Sequence, residues 1–277
     1  MSKPKIVTII QARTSSTRLP GKVLLPIVGK PMLYRMYERV KYSSLVKQIV
    51  IATSSSIEDD PIEELCSMVG IDCFRGSLTD LLDRHYRAGR LYNADAIAKI
   101  PSDCPLIDYR IIDKVFSYYL ENYRNYDYVS NLHPATYPDG NDVEIISMDA
   151  LERGWKEAKR SLEREHTTPY FWENKDIFRN ANIAWESVLD YSSTHRWTMD
   201  YPEDFFFIKK VYDELYPSNP KFGLEDILEL LKNKPDLMQI NSKYAGKYWY
   251  DNHLDELSNI DEYKQKINLS GKNGKQN

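Results

Sequence analysis

The chain has 277 residues, of which 42% are hydrophobic and 28% are charged. This composition supports a sizeable apolar core and excludes a disordered chain. The 37 Lys and Arg against 41 Asp and Glu give a net charge of −4, which argues against a nucleic-acid binder with a broad basic surface but is compatible with a local basic cluster that holds phosphates.

No stretch approaches the roughly 18–20 consecutive apolar residues of a membrane span, and the first apolar run, residues 6–10, is too short for a signal peptide. The three cysteines, Cys66, Cys73 and Cys104, are odd in number and lack the spacing of a zinc pair. We therefore expect a reduced, cytoplasmic protein that has no structural metal and does not act at a membrane.

Short β-branched runs alternate with helical patterns from residue 5 to about residue 130. This alternation predicts βαβ units, a mostly parallel sheet and an α/β fold. The predicted strands span 5–10, 48–52 and 96–100. Helices are predicted to begin at Pro31, at Asp60 and, with Ser77 as its N-cap, before Leu78.

The pattern changes after Asn131, where a turn-rich stretch leads into alternating residues at 143–147 and a helix from Met148. We interpret about 132–195 as an insertion that carries its own strands. A strand over 196–199 and a helix from Pro202 are predicted next. Residues 1–240 are interpreted as one domain and 241–277 as a C-terminal tail that is frayed over 264–277.

A run of polar residues follows the first predicted strand, from Gln11 to Lys22. Loops at the carboxyl ends of strands in open α/β sheets commonly bind ligands, and hydroxyls, a glycine and cations favour a polyphosphate. The segment is not a Walker loop, because Ser16 stands where the first glycine is required. The alternative is a solvated loop whose Arg13 and Arg18 pair with surface carboxylates.

The segment Arg13-x-x-Ser16-x-Arg18-Leu-Pro-Gly-Lys22, followed by Gly29-Lys-Pro-Met32, resembles the N-terminal signature of the cytidylyltransferase family that includes CMP-Kdo and CMP-sialic acid synthetases. The similarity is greatest to the spore coat polysaccharide biosynthesis (SpsF) group and covers about residues 5–240. It continues through Tyr137-Pro-Asp-Gly140, Asp142-Val-Glu144, Arg164-Glu-His166 with Thr168-Pro-Tyr170, and Arg196-Trp-Thr-Met-Asp200. The resemblance implies a three-layer Rossmann-like nucleotidyltransferase fold with a small inserted subdomain for dimerisation or acceptor binding.

Two aspartates are candidate metal ligands. Asp103 follows the third predicted strand, and in the resembling enzymes this position, usually written G-D-x-P-L-I, holds the catalytic metal; Ser102 replaces the glycine here. By resemblance, Asp200 is the second ligand. Mg²⁺ prefers one or two carboxylates together with phosphate oxygens and water. The alternative for Asp103 is a turn aspartate that caps the helix near Tyr109.

The resemblance implies that CTP binds at the polar loop, with Arg13 and Lys22 on its β- and γ-phosphates. Arg13, Lys22, Asp103 and Asp200 form the predicted catalytic set, and the predicted nucleotide site comprises Gln11, Ala12, Arg13, Ser16, Arg18 and Lys22. Glu203 and Asp204 are better explained as first-turn acids that complement a helix dipole.

The candidate acceptor-binding residues are Tyr137, Asp142, Glu144, Arg164 and His166. Carboxylates suit sugar hydroxyls, and an Arg/His pair suits a carboxylate or phosphate. The alternative is that Arg164 pairs with Glu144 or Asp142 and braces the insertion at a dimer interface. His85 is interpreted as a core histidine.

The resemblance implies a homodimeric enzyme that transfers CMP from CTP to a sugar, sugar acid or phosphorylated acceptor for surface polysaccharide synthesis. The polar loop and the carboxylates at the strand ends are compatible with Mg²⁺-dependent transfer of this kind. One alternative is a nucleotide-sugar-dependent glycosyltransferase, but the chain contains no Asp-x-Asp sequence. Another is a non-catalytic nucleotide-binding module, which would not need both metal carboxylates.

Overall fold

The structure, a computed structural model, describes residues 3–187, 189–247, 251, 253 and 255–257. The strands are β1 (Ile6–Gln11), β2 (Pro26–Ile27), β3 (Lys30–Pro31), β4 (Ile49–Ser54), β5 (Asp72–Gly76), β6 (Ala96–Pro101), β7 (Tyr128–Ser130), β8 (Glu144–Ser147) and β9 (Asn180–Asn182). The helices are α1 (Met32–Lys41), α2 (Asp60–Val69), α3 (Leu81–Leu91), α4 (Tyr109–Asn122), α5 (Met148–Glu157), α6 (Ser161–His166), α7 (Pro169–Glu173), α8 (Pro202–Leu215), α9 (Leu224–Asn233) and α10 (Asp236–Gln239).

A seven-stranded sheet in the order β5-β4-β1-β6-β8-β7-β9 forms the middle layer. Adjacent strands in this sheet are parallel, except that β8 is antiparallel to both β6 and β7. Because β8 alone is reversed, its first residue lies at the same edge of the sheet as the last residues of β1, β6 and β7. Glu144 at the start of β8 is accordingly paired with Lys99 and Ser130.

Alternating side chains of β1 bind a helical layer to each face of the sheet, as the two-residue period of a strand requires. Ile6 and Ile10 belong to the apolar core that includes buried residues of α1, α4, α8 and α9. Val7 and Ile9 belong to the second core, with buried residues of α3, α5 and α7. The α/β prediction with a mostly parallel sheet is confirmed.

The range of about 132–195, predicted to be an insertion that carries its own strands, contains β8 and β9, and both strands pair within the main sheet. Two local predictions are wrong. The third helix begins at Leu81 rather than before Leu78, because Asp80 is its N-cap and accepts a hydrogen bond from the Asp83 backbone N–H at 2.8 Å. Residues 196–199 form no strand; the backbone N–H groups of Trp197 and Met199 donate to Asp139 and Asp103 in other loops, at 2.7 Å each.

The C-terminal region begins with packed residues, since Asn241 is buried. The stretch 264–277, predicted to be frayed, lies outside the described residues. Within the described part of the chain, no helix combines the length and the apolar character that crossing a membrane requires.

His85 on α3 is fully buried, and its Nδ1 lies 2.7 Å from the Leu81 carbonyl oxygen. Burial lowers the pKa of this imidazole to about 3, with Lys99 and Arg84 acting in the same direction. The ring is therefore neutral in the folded protein, whereas in the unfolded chain it takes up a proton below about pH 6.5.

We predict that His85 contributes to acid lability. The unfolded state binds one more proton than the folded state between about pH 6.5 and pH 3, so the free energy of unfolding falls as pH decreases through that window, by up to ~1.4 kcal/mol per pH unit. The free energy of unfolding, measured by chemical denaturation across this pH range, should depend less steeply on pH for His85→Gln than for the unsubstituted protein. Equal pH slopes for the two proteins would contradict this assignment.

Candidate active site

A cavity of about 560 Å³ opens at the carboxyl ends of β1 and β6. This volume is within the range of small-molecule sites. The loop after β1, the segment 131–144, α6 and the segment before α8 contribute to its walls. Of the residues predicted from the sequence, the cavity is lined by Gln11, Ala12, Arg13, Ser16, Arg18, Lys22, Asp103, Tyr137, Asp142, Glu144, His166 and Asp200.

The polar loop after β1 is fixed by a buried aspartate that the sequence analysis did not select. Asp59 accepts hydrogen bonds from the backbone N–H of Thr14 at 2.7 Å and from its hydroxyl at 2.8 Å. Burial acts to raise the pKa of Asp59, but these bonds and those from Ser54 outweigh it and lower the pKa below its ordinary value. The loop then closes on itself, because the Gly21 backbone N–H donates to the Thr14 carbonyl at 2.9 Å and Gly21 adopts a left-handed φ of +66°.

Lys22 lies at the end of this loop and joins the two candidate metal ligands. Its ammonium is 3.0 Å from a carboxylate oxygen of Asp200 and 3.4 Å from one of Asp103, and it donates to the Met199 carbonyl at 2.7 Å. Burial acts to lower the pKa of Lys22, but both aspartates outweigh it and raise the pKa above its ordinary value. Lys22 is therefore a cation, and it draws the ends of three distant segments together.

Asp200 receives two further cations. Arg18 is 2.7 Å and Arg196 is 3.0 Å from its carboxylate oxygens. Burial acts to raise the pKa of Asp200, but Lys22, Arg18 and Arg196 outweigh it and lower the pKa. Asp200 is thus ionised, as a metal ligand must be.

Arg196 is itself held by a buried network. Its guanidinium is 3.0 Å from Asp204, whose carboxylate also accepts from the backbone N–H groups of Asp200 and Tyr201 at 2.9 and 3.0 Å. Asn241 completes the network, since its amide donates to the Asp204 carboxylate and to the Arg196 carbonyl, both at 2.9 Å. Asp204 does sit in the first turn of α8 as expected, but its main contacts fix the backbone at Asp200.

The donor set at Asp103 and Asp200 fits Mg²⁺. Both carboxylates line the cavity and each has an oxygen within 3.4 Å of the same Lys22 nitrogen. In the described part of the chain, no group of three or more His, Cys, Asp or Glu side chains is arranged to hold a metal ion. A metal at this pair would therefore need further ligands, and Mg²⁺ commonly takes these from phosphate oxygens and water.

The Tyr109 helix does not use Asp103 as its cap. Asp108 is the N-cap, and its carboxylate accepts from the Arg110 backbone N–H at 2.8 Å. The alternative assignment of Asp103 as a helix cap is therefore wrong.

The opposite half of the cavity contains a buried ion pair on the sheet. The ammonium of Lys99 and the hydroxyl of Tyr128 each lie 2.5 Å from a carboxylate oxygen of Glu144. Burial acts to raise the pKa of Glu144, but Lys99 outweighs it and lowers the pKa. Two cross-strand neighbours thus present a rigid, ionised carboxylate at the floor of the cavity.

Two more carboxylates adjoin Glu144. Burial raises the pKa of Asp142 to about 7, with Asp103 and Glu144 adding to the shift. Burial and Asp142 likewise raise the pKa of Asp139 well above its ordinary range, although Arg196 opposes them at 3.4 Å. This half of the cavity therefore groups an ionised carboxylate with two carboxyl groups whose pKa values are raised.

Two predicted acceptor residues have different surroundings. His166 lines the cavity, and burial lowers its pKa to about 3, with Lys99, His253 and Arg13 acting in the same direction. Arg164 lies outside the described cavity lining. It binds Asp80 at 2.5 Å and the Trp155 carbonyl at 2.7 Å, so the alternative in which Arg164 pairs with Glu144 or Asp142 is wrong. Its salt bridge joins α6 to the N-cap of α3 instead.

A family model described as cytidylyltransferase matches residues 7–245, and thus most of the chain. This protein belongs to the cytidylyltransferase family. An uncharacterized protein of Methanocaldococcus jannaschii is 38% identical over 245 residues, which cover 88% of this chain and 97% of that one. The spore coat polysaccharide biosynthesis protein SpsF of Bacillus subtilis is 29% identical over 236 residues, which cover 83% and 95% of the two chains.

Solved structures give the same assignment. A cytidylyltransferase from Leptospira borgpetersenii superposes with a TM-score of 0.80 and 34% identity, covering 85% of this chain and 97% of that one. CMP:2-keto-3-deoxy-manno-octonic acid synthetase complexed with CTP has a TM-score of 0.59 and 19% identity, covering 76% and 99%, and supports the fold. The cytidylyltransferase described here is accordingly a CTP-dependent nucleotidyltransferase.

Sequence reasoning missed several residues that line the cavity or hold its walls: Asp59, Arg84, Lys99, Arg196, Asn241 and Lys247. Arg84 is buried and donates to the Ser77 and Leu78 carbonyl oxygens. Burial lowers its pKa to about 10, with Arg13 acting in the same direction. The helical spacing of Arg84 gave no sign of this role, whereas Arg196 stood within a matching motif and could have been selected.

We predict that Asn241→Ala destabilises the cytidylyltransferase by about 1–3 kcal/mol, because it removes the amide donor of the buried Arg196 carbonyl and one of the donors to the buried Asp204 carboxylate. Turnover of the folded fraction should also fall, since Asp204 positions Asp200. Chemical denaturation and steady-state assays would measure the two effects. Ser242→Ala is the matched control, because the neighbouring Ser242 hydroxyl is exposed and donates only to the Gln239 carbonyl. Equal unfolding free energies for the two variants would contradict the role of Asn241.

Proposed function

We propose that this cytidylyltransferase transfers CMP from CTP to a hydroxyl group of a sugar, sugar acid or phosphorylated acceptor and releases pyrophosphate, with Mg²⁺ held by Asp103 and Asp200. The product would be an activated precursor for a surface polysaccharide. The observation that carries the proposal is the contact of one ammonium, that of Lys22, with both aspartates at the end of a cation-rich loop.

The reaction needs the acceptor oxygen to bond to the α-phosphorus of CTP while the bond from that phosphorus to the bridging oxygen breaks. Pyrophosphate leaves with the electron pair of the broken bond, and the acceptor hydroxyl passes its proton to water. When bound, Mg²⁺ neutralises phosphate charge and orients the oxygens of the reacting group. No protein nucleophile is required, so positioning and electrostatic stabilisation supply the rate.

Arg13 is suited to the β- and γ-phosphates. It is exposed at the cavity wall and forms no salt bridge with any carboxylate of the described residues. Lys22 and Arg18 are already close to Asp200, and they would share their charge with the leaving pyrophosphate. The loop thus provides three cations at the cavity wall that would face the leaving pyrophosphate.

Hydroxyl recognition is assigned to the opposite half of the cavity. The ionised Glu144 accepts hydrogen bonds. The raised pKa values of Asp139 and Asp142 favour their protonated forms, in which these groups would donate as well as accept. His166 is neutral and adds one donor or acceptor. Tyr137 lines the same half and packs against Trp185, with ring centroids 5.9 Å apart.

The acceptor class and the biological role are supported by relatives. The 3-deoxy-manno-octulosonate cytidylyltransferase of Zea mays, whose name specifies a sugar acid, is 38% identical over 125 residues, which cover 41% of this chain and 38% of that one. The role in polysaccharide synthesis is supported by the similarity to SpsF. We further propose a cytoplasmic homodimer, and sedimentation of the purified protein would measure that oligomeric state.

We predict that pyrophosphate release requires CTP together with one class of acceptor. Release would be measured with CTP, UTP, ATP and GTP in the presence of Mg²⁺, against sugar acids, sugar phosphates and small phosphorylated acids. Asp103→Asn should reduce release with CTP at least ~100-fold, because the neutral amide binds a divalent cation poorly, while the thermal unfolding midpoint stays within a few degrees.

Glu203→Gln is the matched control, because this carboxylate lies close in sequence to Asp200 but pairs with Lys243 at 2.6 Å, outside the cavity lining. It should retain full activity. Release with another nucleotide in preference to CTP, or undiminished release by Asp103→Asn, would contradict the proposal. Hydrolysis of a nucleotide sugar without use of CTP would favour the glycosyltransferase alternative.

A further inference from the structure

The C-terminal segment contributes a residue to the cavity from beyond the family match. The match ends at residue 245, whereas Lys247 lines the cavity. The chain is fixed just before this point, because Tyr244 stacks on Tyr201 with ring centroids 3.8 Å apart and an interplanar angle of 3°. Lys247 is therefore placed by packed neighbours.

The turn at Gly246 directs the chain toward the cavity. Its φ is +73°, a left-handed conformation that favours glycine, and a Cβ at this position would lie 3.2 Å from the Ser193 carbonyl oxygen. Directly afterwards, the Lys247 carbonyl accepts a hydrogen bond from Arg196 at 3.3 Å. The Lys247 backbone thus lies beside the guanidinium that contacts both Asp200 and Asp139.

The segment also contacts the far side of the cavity. The ring of His253 lies 5.5 Å from that of His166, which lines the cavity. The Glu256 carbonyl accepts from Arg160 at 2.7 Å, and Leu257 is buried in the core on that face of the sheet. The described residues of the segment are therefore anchored on two walls, one on each side of the cavity.

Lys247 differs from Arg196 and Lys99, the other cations at this end of the cavity, in its pairing with carboxylates. Arg196 is paired with Asp139, Asp200 and Asp204, and Lys99 is paired with Glu144. Lys247 forms no salt bridge with a described carboxylate; its ammonium lies 5.4 Å from the centre of the Tyr244 ring. Without Lys247, an anionic acceptor group at this end of the cavity would face carboxylates, because the other cations nearby are already paired with those carboxylates.

We propose that Lys247 binds an anionic group of the acceptor, a carboxylate or a phosphate, and thereby makes the C-terminal segment a determinant of acceptor specificity. This inference rests on the proposed function, since it takes the acceptor to bind in the same cavity as CTP. Lys247 would add a charge-assisted hydrogen bond at the junction between the metal carboxylates and the hydroxyl-binding half.

The test is an equilibrium titration that requires no turnover. The full chain, saturated with α,β-methylene-CTP and Mg²⁺, would be titrated calorimetrically with 3-deoxy-manno-octulosonate, N-acetylneuraminate and a sugar 1-phosphate, and with the carboxamide of each acid. Lys247→Met should weaken binding of the anionic acceptor about tenfold or more. It should leave affinity for the nucleotide analogue within twofold and abolish the preference for the acid over its amide.

Lys243→Met is the matched control. Its ammonium also lies near the Tyr244 ring, at 4.9 Å, but it pairs with Glu203 and lies outside the described cavity lining. It should change neither affinity by more than twofold. Equal acceptor affinities for the two variants would overturn the inference, and so would failure of every anionic compound to bind the unsubstituted protein.

Pyrophosphate release from CTP would be measured separately with the same compounds. Binding that depends on Lys247 without any release would support the inference and contradict the proposed transfer. Release with a neutral sugar as the preferred acceptor would support transfer and overturn the role of Lys247.

Discussion

The arrangement of the site depends on the ion pairs that the ammonium of Lys22 forms with Asp103 and Asp200. This ammonium joins the loop after β1 to Asp103, 81 positions later, and to Asp200, 178 positions later. The Lys22 and Asp200 side chains are only 11% and 14% exposed, so both charges have lost much of their hydration. Such a buried pair is strongly destabilising to break, because removal of one partner leaves the other unpaired. The same contact that organises the site therefore also holds three segments of the chain together.

The sheet explains why these segments meet. β1 and β6 are adjacent and parallel, so the polar loop and Asp103 emerge at the same edge. The single reversed strand, β8, starts at that edge and brings Glu144 into register with Lys99. Asp200 arrives from outside the sheet, fixed by Asp204 and Asn241 beside α8. The order of the strands thus positions one wall of the cavity, and the buried polar network of Asp204 and Asn241 positions the wall that contains Asp200.

The parts that could be predicted from the sequence depend on local patterns. The strands β1, β4 and β6 have strong apolar runs, and the polar loop and Asp103 follow two of them directly. Because Arg13, Lys22 and Asp103 follow predicted parallel strands, their location at one edge of the sheet could be predicted from the sequence. The assignment of Asp200, by contrast, depended on resemblance, since residues 196–199 form no strand.

The parts that could not be predicted depend on long-range contacts. Arg164 was assigned to the acceptor by its motif, yet it pairs with Asp80, 84 positions away. Asp59 and Asn241 carry no local signature, because their function lies in hydrogen bonds to Thr14 and Asp204 that only the tertiary fold creates. Lys247 lies in the predicted C-terminal tail, and its place at the cavity depends on the tertiary contacts of Tyr244 with Tyr201 and of the Lys247 carbonyl with Arg196.

The central claim is that Lys22 supplies the positive charge that balances Asp103 and Asp200 when no nucleotide is bound. Binding of Mn²⁺ to nucleotide-free protein, followed by electron paramagnetic resonance, tests this claim most directly. Lys22→Met should bind Mn²⁺ at least about tenfold more tightly than the unsubstituted protein, because the two carboxylates lose their shared cation. Equal or weaker binding of Mn²⁺ by the variant, under conditions in which circular dichroism shows that it is folded, would contradict the account.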